Sequence, residues 1–299
     1  MNIPFINIEN AFEHEPPELD FIWPGFLAGT VGALVAPGAA GKSFWTLEAT
    51  MSIACSVAGG DLLGLEPKKA GRVVYLAGED PEAALVRRVN AIGKHLSVSA
   101  QQSIAENLSL ASVMGKGLNV MNKQSFTWVI DHAKEARLIV LDTLSRVHCL
   151  DENSNGDMSR LVTTLEQIAV ATGASVLYLH HVNKTSVRDG LSNQQQSARG
   201  ASALIDNARW CGFVAKMAES EAKTLSDKTN TGQPIGNDRR ESFVRFGISK
   251  QNYASPYSDR WFERRDGGVL VPVGLSKAGI KKINSTKKPF DQRKPSDHW

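Results

Sequence analysis

Thr30-Val-Gly-Ala-Leu-Val-Ala-Pro-Gly-Ala-Ala-Gly-Lys-Ser-Phe44 is the stretch on which the reading of this chain turns. Val31, Ala33, Leu34 and Val35 form the short apolar run of a buried strand, Pro37 and Gly38 end it, and a helical pattern begins at Lys42. Strand, glycine-rich loop and helix in that order make a phosphate cradle. Pro37, Gly38, Ala39, Ala40, Gly41, Lys42, Ser43 and Phe44 supply it, since small residues let backbone N–H groups close around a polyphosphate while the helix N-terminus adds partial positive charge. Lys42 is expected on the β- and γ-phosphates of ATP and the Ser43 hydroxyl on Mg²⁺. Ala36 stands where the strict Gly-x-x-x-x-Gly-Lys-Ser pattern has its first glycine, but that position is the end of the strand, and Gly38 and Gly41 remain.

Working outward, Leu138-Ile-Val-Leu-Asp142 is an apolar strand ending in a carboxylate, which sets Asp142 beside the loop as a second metal partner. Arg72 to Ala77 reads as the strand after the cradle's helix, and Glu79 follows it at once. On that edge Glu79 can orient and deprotonate the water that attacks the γ-phosphate, so hydrolysis is the expected reaction. Asp80 and Pro81 read as the cap and first position of a helix running to about His95. Ser175 to Leu179 is a further strand closing at His180-His181; one imidazole is expected to sense the γ-phosphate, and His181 is the choice.

The strands alternate with helices at 126–136 and 157–172, which predicts an α/β fold with a mostly parallel sheet flanked by helices. Arg260 to Arg265 and Gly268 to Val273, joined at Asp266-Gly267, predict a C-terminal antiparallel hairpin. Residues 1–29 read as an arm: five acidic residues, no lysine or arginine, four prolines and a set of aromatics that dock on the chain's own core or on a neighbouring subunit. Residues 30–275 are the expected ATPase domain. Residues 276–299 are a basic tail, for Lys277 to Trp299 holds seven basic and two acidic residues within a chain of net charge +3.

With 299 residues, 42% of them hydrophobic, the chain can bury a sizeable core. Three cysteines (Cys55, Cys149, Cys211) without Cys-x-x-Cys spacing argue against a disulfide framework or a zinc site and for a reducing compartment. No apolar run reaches the roughly 20 residues that cross a bilayer, and the acidic start is unlike a signal peptide, so a cytoplasmic protein is expected.

Ala-Pro-Gly-Ala-Ala-Gly-Lys-Ser, Gly-Glu-Asp-Pro, Leu-Asp-Thr-Leu, Leu-His-His, Gln-Gln-Gln-Ser-Ala-Arg-Gly and Asp-Asn-Ala-Arg-Trp occur in this order. On these motifs the chain resembles RecA-fold ATPases and, more narrowly, the RepA-like hexameric replicative DNA helicases of broad-host-range plasmids, over about residues 6–273. The resemblance implies a ring of six subunits with ATP between neighbours, single-stranded DNA in the central channel, and a replication initiator protein or primase as a partner. It implies Arg209 as the arginine finger offered to the adjacent subunit, with Arg199 a rival. Lys250 fits a lysine that related rings use in trans, while Asn252 stands where they carry an arginine. Residues 147–158 and 183–200 are the loops expected to face the channel, with Lys184, Arg188 and Arg199 on DNA phosphates. A RecA-like recombination or regulatory ATPase that binds DNA without unwinding it carries the same motifs.

Overall fold

In the computed structural model, which describes residues 3–182, 202–227, 232–253 and 257–279, the chain begins with a short helix, α1 (Ile8–Glu13), that buries none of its residues. Strands β1 (Phe21–Trp23) and β2 (Phe26–Leu27) then form an antiparallel ribbon about Pro24-Gly25, with Gly25 at φ 77° as a tight turn requires. Next come β3 (Val31–Ala36), the loop to Gly41, and α2 (Lys42–Ala54). They are followed by β4 (Val73–Ala77), α3 (Glu82–Gly93), α4 (Val98–Asn107), β5 (Leu108–Ser112), α5 (Lys123–Ala133) and β6 (Leu138–Asp142). The long helix α6 (Asn155–Thr172) stops at Gly173, φ 74°, and leads into β7 (Ser175–His181). After the undescribed residues 183–201 come α7 (Ser202–Asn207), β8 (Trp210–Lys216), α8 (Glu219–Thr224), β9 (Leu225–Ser226), α9 (Gly236–Arg239), β10 (Phe243–Gln251), β11 (Arg260–Arg264), β12 (Leu270–Val273) and β13 (Ser276–Lys277).

Nine of these strands form one sheet in the order β12-β11-β10-β8-β3-β7-β6-β4-β5. From β8 to β5 every pairing is parallel; β10, β11 and β12 are added antiparallel. This is the expected parallel sheet with its C-terminal antiparallel hairpin. Strand β3, which carries the cradle, is central, between β7 and β8. The parallel strands are apolar throughout because both faces are covered, and their side chains alternate between two cores. Leu34, Tyr75, Val140 and Leu177 join Trp45, Met51 and Ile53 of α2 on one face. Val35, Leu76, Leu141 and Tyr178 join Val129 of α5 and Leu161, Leu165 and Ile168 of α6 on the other.

The structure departs locally from the sequence expectations. Ile22, Trp23 and Phe26 are 0–2% exposed and belong to the α2-side core, so core packing begins before residue 30, whereas Phe5 and Phe12 are 97% and 86% exposed. Helix α4 was not expected; Ser97 caps it by accepting from the Ala100 N–H at 3.2 Å. Asp80 does not cap α3. Pro81 holds the cap position, and both Asp80 oxygens take the Arg88 guanidinium at 2.5 and 2.9 Å, because a charge-assisted bidentate pair outcompetes a single backbone N–H.

Candidate active site

The sheet itself gathers the predicted residues. In the parallel register Ala36 lies beside His181 and Ala77 beside Asp142, so the cradle, Glu79, Asp142 and His181 all come to the C-terminal edge of the central strands, where doubly wound sheets bind their ligands. Gly41 opens α2 at φ 104°, a conformation open to glycine; Ala39 takes φ 60°. Lys42 is 4% exposed and its ammonium has no hydrogen-bond partner among the described residues. Burial lowers its pKa to about 8, against the opposing pull of Asp142 and Glu79.

Asp142 is 3% exposed. Its Oδ2 accepts the Tyr75 hydroxyl at 2.6 Å, while its Oδ1 is buried with no partner among the described residues. Desolvation, with the Asp142 charge added, pushes the Tyr75 pKa well up, so Tyr75 stays a donor. A buried ammonium and a buried carboxylate oxygen, both unpaired, are costly in an empty site and suit a phosphate and a hydrated cation. The residues present therefore fit a Mg²⁺-nucleotide: Lys42 and the loop amides would hold its phosphates, and Ser43 and Asp142 its cation.

Glu79 sits across from them, its carboxylate 3.5 Å from His181 Nε2 and 3.7 Å from Arg146 Nε. Partial burial pushes its pKa up, but the hydrogen bond from Thr143 and the neighbouring His181 and Lys42 outweigh it, and the net direction is down. An ionised carboxylate near phosphate-binding groups can take a proton from water. The two histidines are unlike. His180 is 8% exposed, and burial with the nearby Lys42 lowers its pKa to about 4, so it is neutral at pH 7. His181 is the one that reaches Glu79 and the cavity.

That cavity, about 300 Å³, is lined by Pro37 to Phe44 of the cradle (Gly38 excepted), Glu79, Asp80, Arg88, His181 and Arg264. Arg88, Arg264 and Tyr75 were not anticipated. Tyr75 could have been noticed as the polar-tipped residue in an otherwise aliphatic strand; Arg264 arrives from β11, far along the chain, with no local signal. Arg209 and Lys250 lie elsewhere. Trp210 pairs with Gly32 and Cys211 with Lys250, so both residues lie toward the opposite, N-terminal edge of the parallel strands. There Arg209 is exposed, and the Lys250 ammonium donates to the carbonyls of Ile205 and Asp206 at the end of α7, at 3.2 and 2.6 Å. Neither reaches the cavity of its own chain. Lys184, Arg188 and Arg199 fall outside the described residues.

Comparison with known proteins agrees with this geometry. The AAA domain family profile matches residues 4–187, more than half of the chain. The chain belongs to the AAA domain family. Among solved structures it is similar to the ATPase domain of a replicative helicase, with a TM-score of 0.51 and 14% identity over 81% of this chain and 84% of that one. It also aligns with the RadB recombinase, with a TM-score of 0.49 and 13% identity over 82% of this chain and 90% of that one. The fold is that of RecA-like ATPases. Among the described residues no helix is long and apolar enough to cross a membrane.

Proposed function

We propose that this RecA-like ATPase is the motor of a replicative DNA helicase, resembling the RepA-like plasmid family, that hydrolyses ATP with Mg²⁺ and works in the cytoplasm as a ring of six subunits on single-stranded DNA. The observation that carries the chemical part is the meeting of an unpaired buried Lys42 ammonium, an unpaired Asp142 oxygen, Glu79 and His181 on one sheet edge. Lys42 and the loop amides bind the phosphates, Glu79 takes the proton of the attacking water, and His181, held against Glu79, reports whether the γ-phosphate is present. When bound, Mg²⁺ neutralises charge on the β- and γ-phosphate oxygens. Arg209 completes the site of the adjacent subunit, with Arg199 and Lys250 next in order. The exposed aromatics of the arm, Phe5 and Phe12, dock on a neighbouring copy, and Lys184, Arg188 and Arg199 hold the DNA phosphates.

Lys42→Ala and Glu79→Gln separate binding from chemistry. Lys42→Ala weakens ATP binding; Glu79→Gln keeps it and lowers phosphate release by about 10²–10⁴-fold. Glu79→Gln turning over at the parental rate removes the water-activating role. A strand-displacement assay with ATP on a forked duplex decides the coupling. Displacement that requires ATP is expected, and DNA-stimulated hydrolysis without displacement makes the protein a recombination or regulatory ATPase instead.

A further inference from the structure

The cavity is lined by three permanently or readily charged cations, Lys42, Arg88 and Arg264, and they are not equally committed. Arg88 is neutralised by Asp80, oxygen for nitrogen, and stacks on the Phe44 ring with its guanidinium carbon 5.3 Å from the centroid. Arg264 has no carboxylate within salt-bridge distance among the described residues. One of its terminal nitrogens donates to the Ala40 carbonyl at 3.3 Å, and its Nε is buried with no partner. A half-buried guanidinium held by one long hydrogen bond is under-satisfied, and what it lacks is an anion.

Its position is built from two sides. Arg264 pairs with Leu270 across β11 and β12, and the Leu270 N–H donates to Glu48 Oε1 at 2.8 Å, which ties the hairpin to the helix that carries Lys42. Burial raises the Glu48 pKa to about 8, so at neutral pH the tie is a neutral acid and adds no negative charge beneath the cradle. On the other side the guanidinium lies so close to the loop that a Cβ on Gly41 would stand 2.9 Å from its Nη2.

We propose that Arg264 is a nucleotide-binding residue, a guanidinium brought by the C-terminal antiparallel strand of the same chain to the phosphate chain of the nucleotide. The assignment rests on the nucleotide reading of the cradle. Arginine is suited to the place, because its planar fork keeps one donor on Ala40 and turns the others to phosphate oxygens. Lys42 comes from the helix that follows the loop and Arg264 from the hairpin beside it. The same contact fastens the hairpin to the occupied site.

The test is calorimetric titration of the full chain with ATP and, separately, with inorganic tripolyphosphate, for the parent, Arg264→Gln, Arg264→Lys and Lys42→Ala. Arg264→Gln is expected to weaken both ligands by about 10- to 100-fold, the usual worth of a charge-assisted hydrogen bond, and Arg264→Lys to recover most of the loss. Three results overturn the assignment: Arg264→Gln binding both ligands within about twofold of the parent, Arg264→Gln losing ATP but not tripolyphosphate, or Lys and Gln being equally weak, which makes Arg264 a prop for Ala40 and no more. Lys42→Ala tells the two readings apart. If it binds ATP like the parent, the cradle itself fails; if it is weak while Arg264→Gln is not, only Arg264 is excluded. Should Arg264→Gln not fold, phenylglyoxal footprinting of the parent needs no variant. Tripolyphosphate protecting Arg264 supports the contact, and equal modification with and without it overturns the contact.

Discussion

Glu48 shows at the scale of one residue how the site constrains the helix beneath it. Its carboxyl is 1% exposed, accepts a single backbone N–H, and holds its proton up to about pH 8, where an ordinary glutamate titrates at 4.5. Between those values the folded protein carries a proton that the unfolded chain has lost, so stability contributed by Glu48 is full below pH 4.5 and is lost as the pH rises toward 8. Glu48→Gln is expected to flatten that decline, which in the parent is on the order of a few kcal/mol, when urea unfolding is followed from about pH 5 to about pH 8.5. A decline of the same size in the variant would assign it to other groups. Lys42, Glu79, Asp142 and His181 were legible because each marks the end of an apolar strand or the start of a helix. Glu48, Tyr75 and Arg264 were not, because their roles depend on which residue of another strand lies opposite, and a single strand's pattern does not encode that.

Among the elements, the amino-terminal stretch divides at Asp20. Arg137 grips both Asp20 oxygens at 2.9 Å and the Phe21 carbonyl, and that hydrogen bonding lowers the Asp20 pKa to about 2. Beyond this point the ribbon of β1 and β2 drives Trp23 and Phe26 into the core; before it, α1 touches nothing that buries it. Phe26→Ala is therefore expected to cost about 3–5 kcal/mol in urea unfolding, and Phe12→Ala within about ±0.5 kcal/mol of zero for the isolated chain. Equal costs would refute the division. The aromatics alone could not reveal it, since Phe5, Phe12 and Phe26 look alike in sequence. Pro24-Gly25 was the available sign, a turn dipeptide between two short apolar runs. Helix α4 likewise left a cap at Ser97 and the spacing Ala100 to Ile104, both buried.

Across the whole molecule the parallel sheet separates two ends: the cavity with Lys42 and Glu79 at one, Arg209 and Lys250 at the other. If a neighbour's Arg209 completes each cavity, inactive Lys42→Ala and inactive Arg209→Ala mixed together must regain part of the phosphate-release activity, since some interfaces then carry both groups. Fingers of this kind contribute on the order of 10³–10⁵ in rate. A dead mixture of subunits that demonstrably co-assemble excludes sharing, and an active Arg209→Ala moves the finger to Arg199 or Lys250. The parallel core and the C-terminal hairpin were legible from alternating strand and helix patterns, whereas the end of the sheet to which Arg209 belongs depended on its pairing beside Val31. The aromatic cluster that closes the α2-side core has an optical consequence. Trp45, three residues after Lys42, stacks on Phe246 with centroids 4.1 Å apart, and Trp23 meets both Trp45 and Trp210. The indole emission of this cluster is therefore wired to the phosphate-binding helix, so the protein carries its own fluorophore for watching a ligand arrive, without a dye attached.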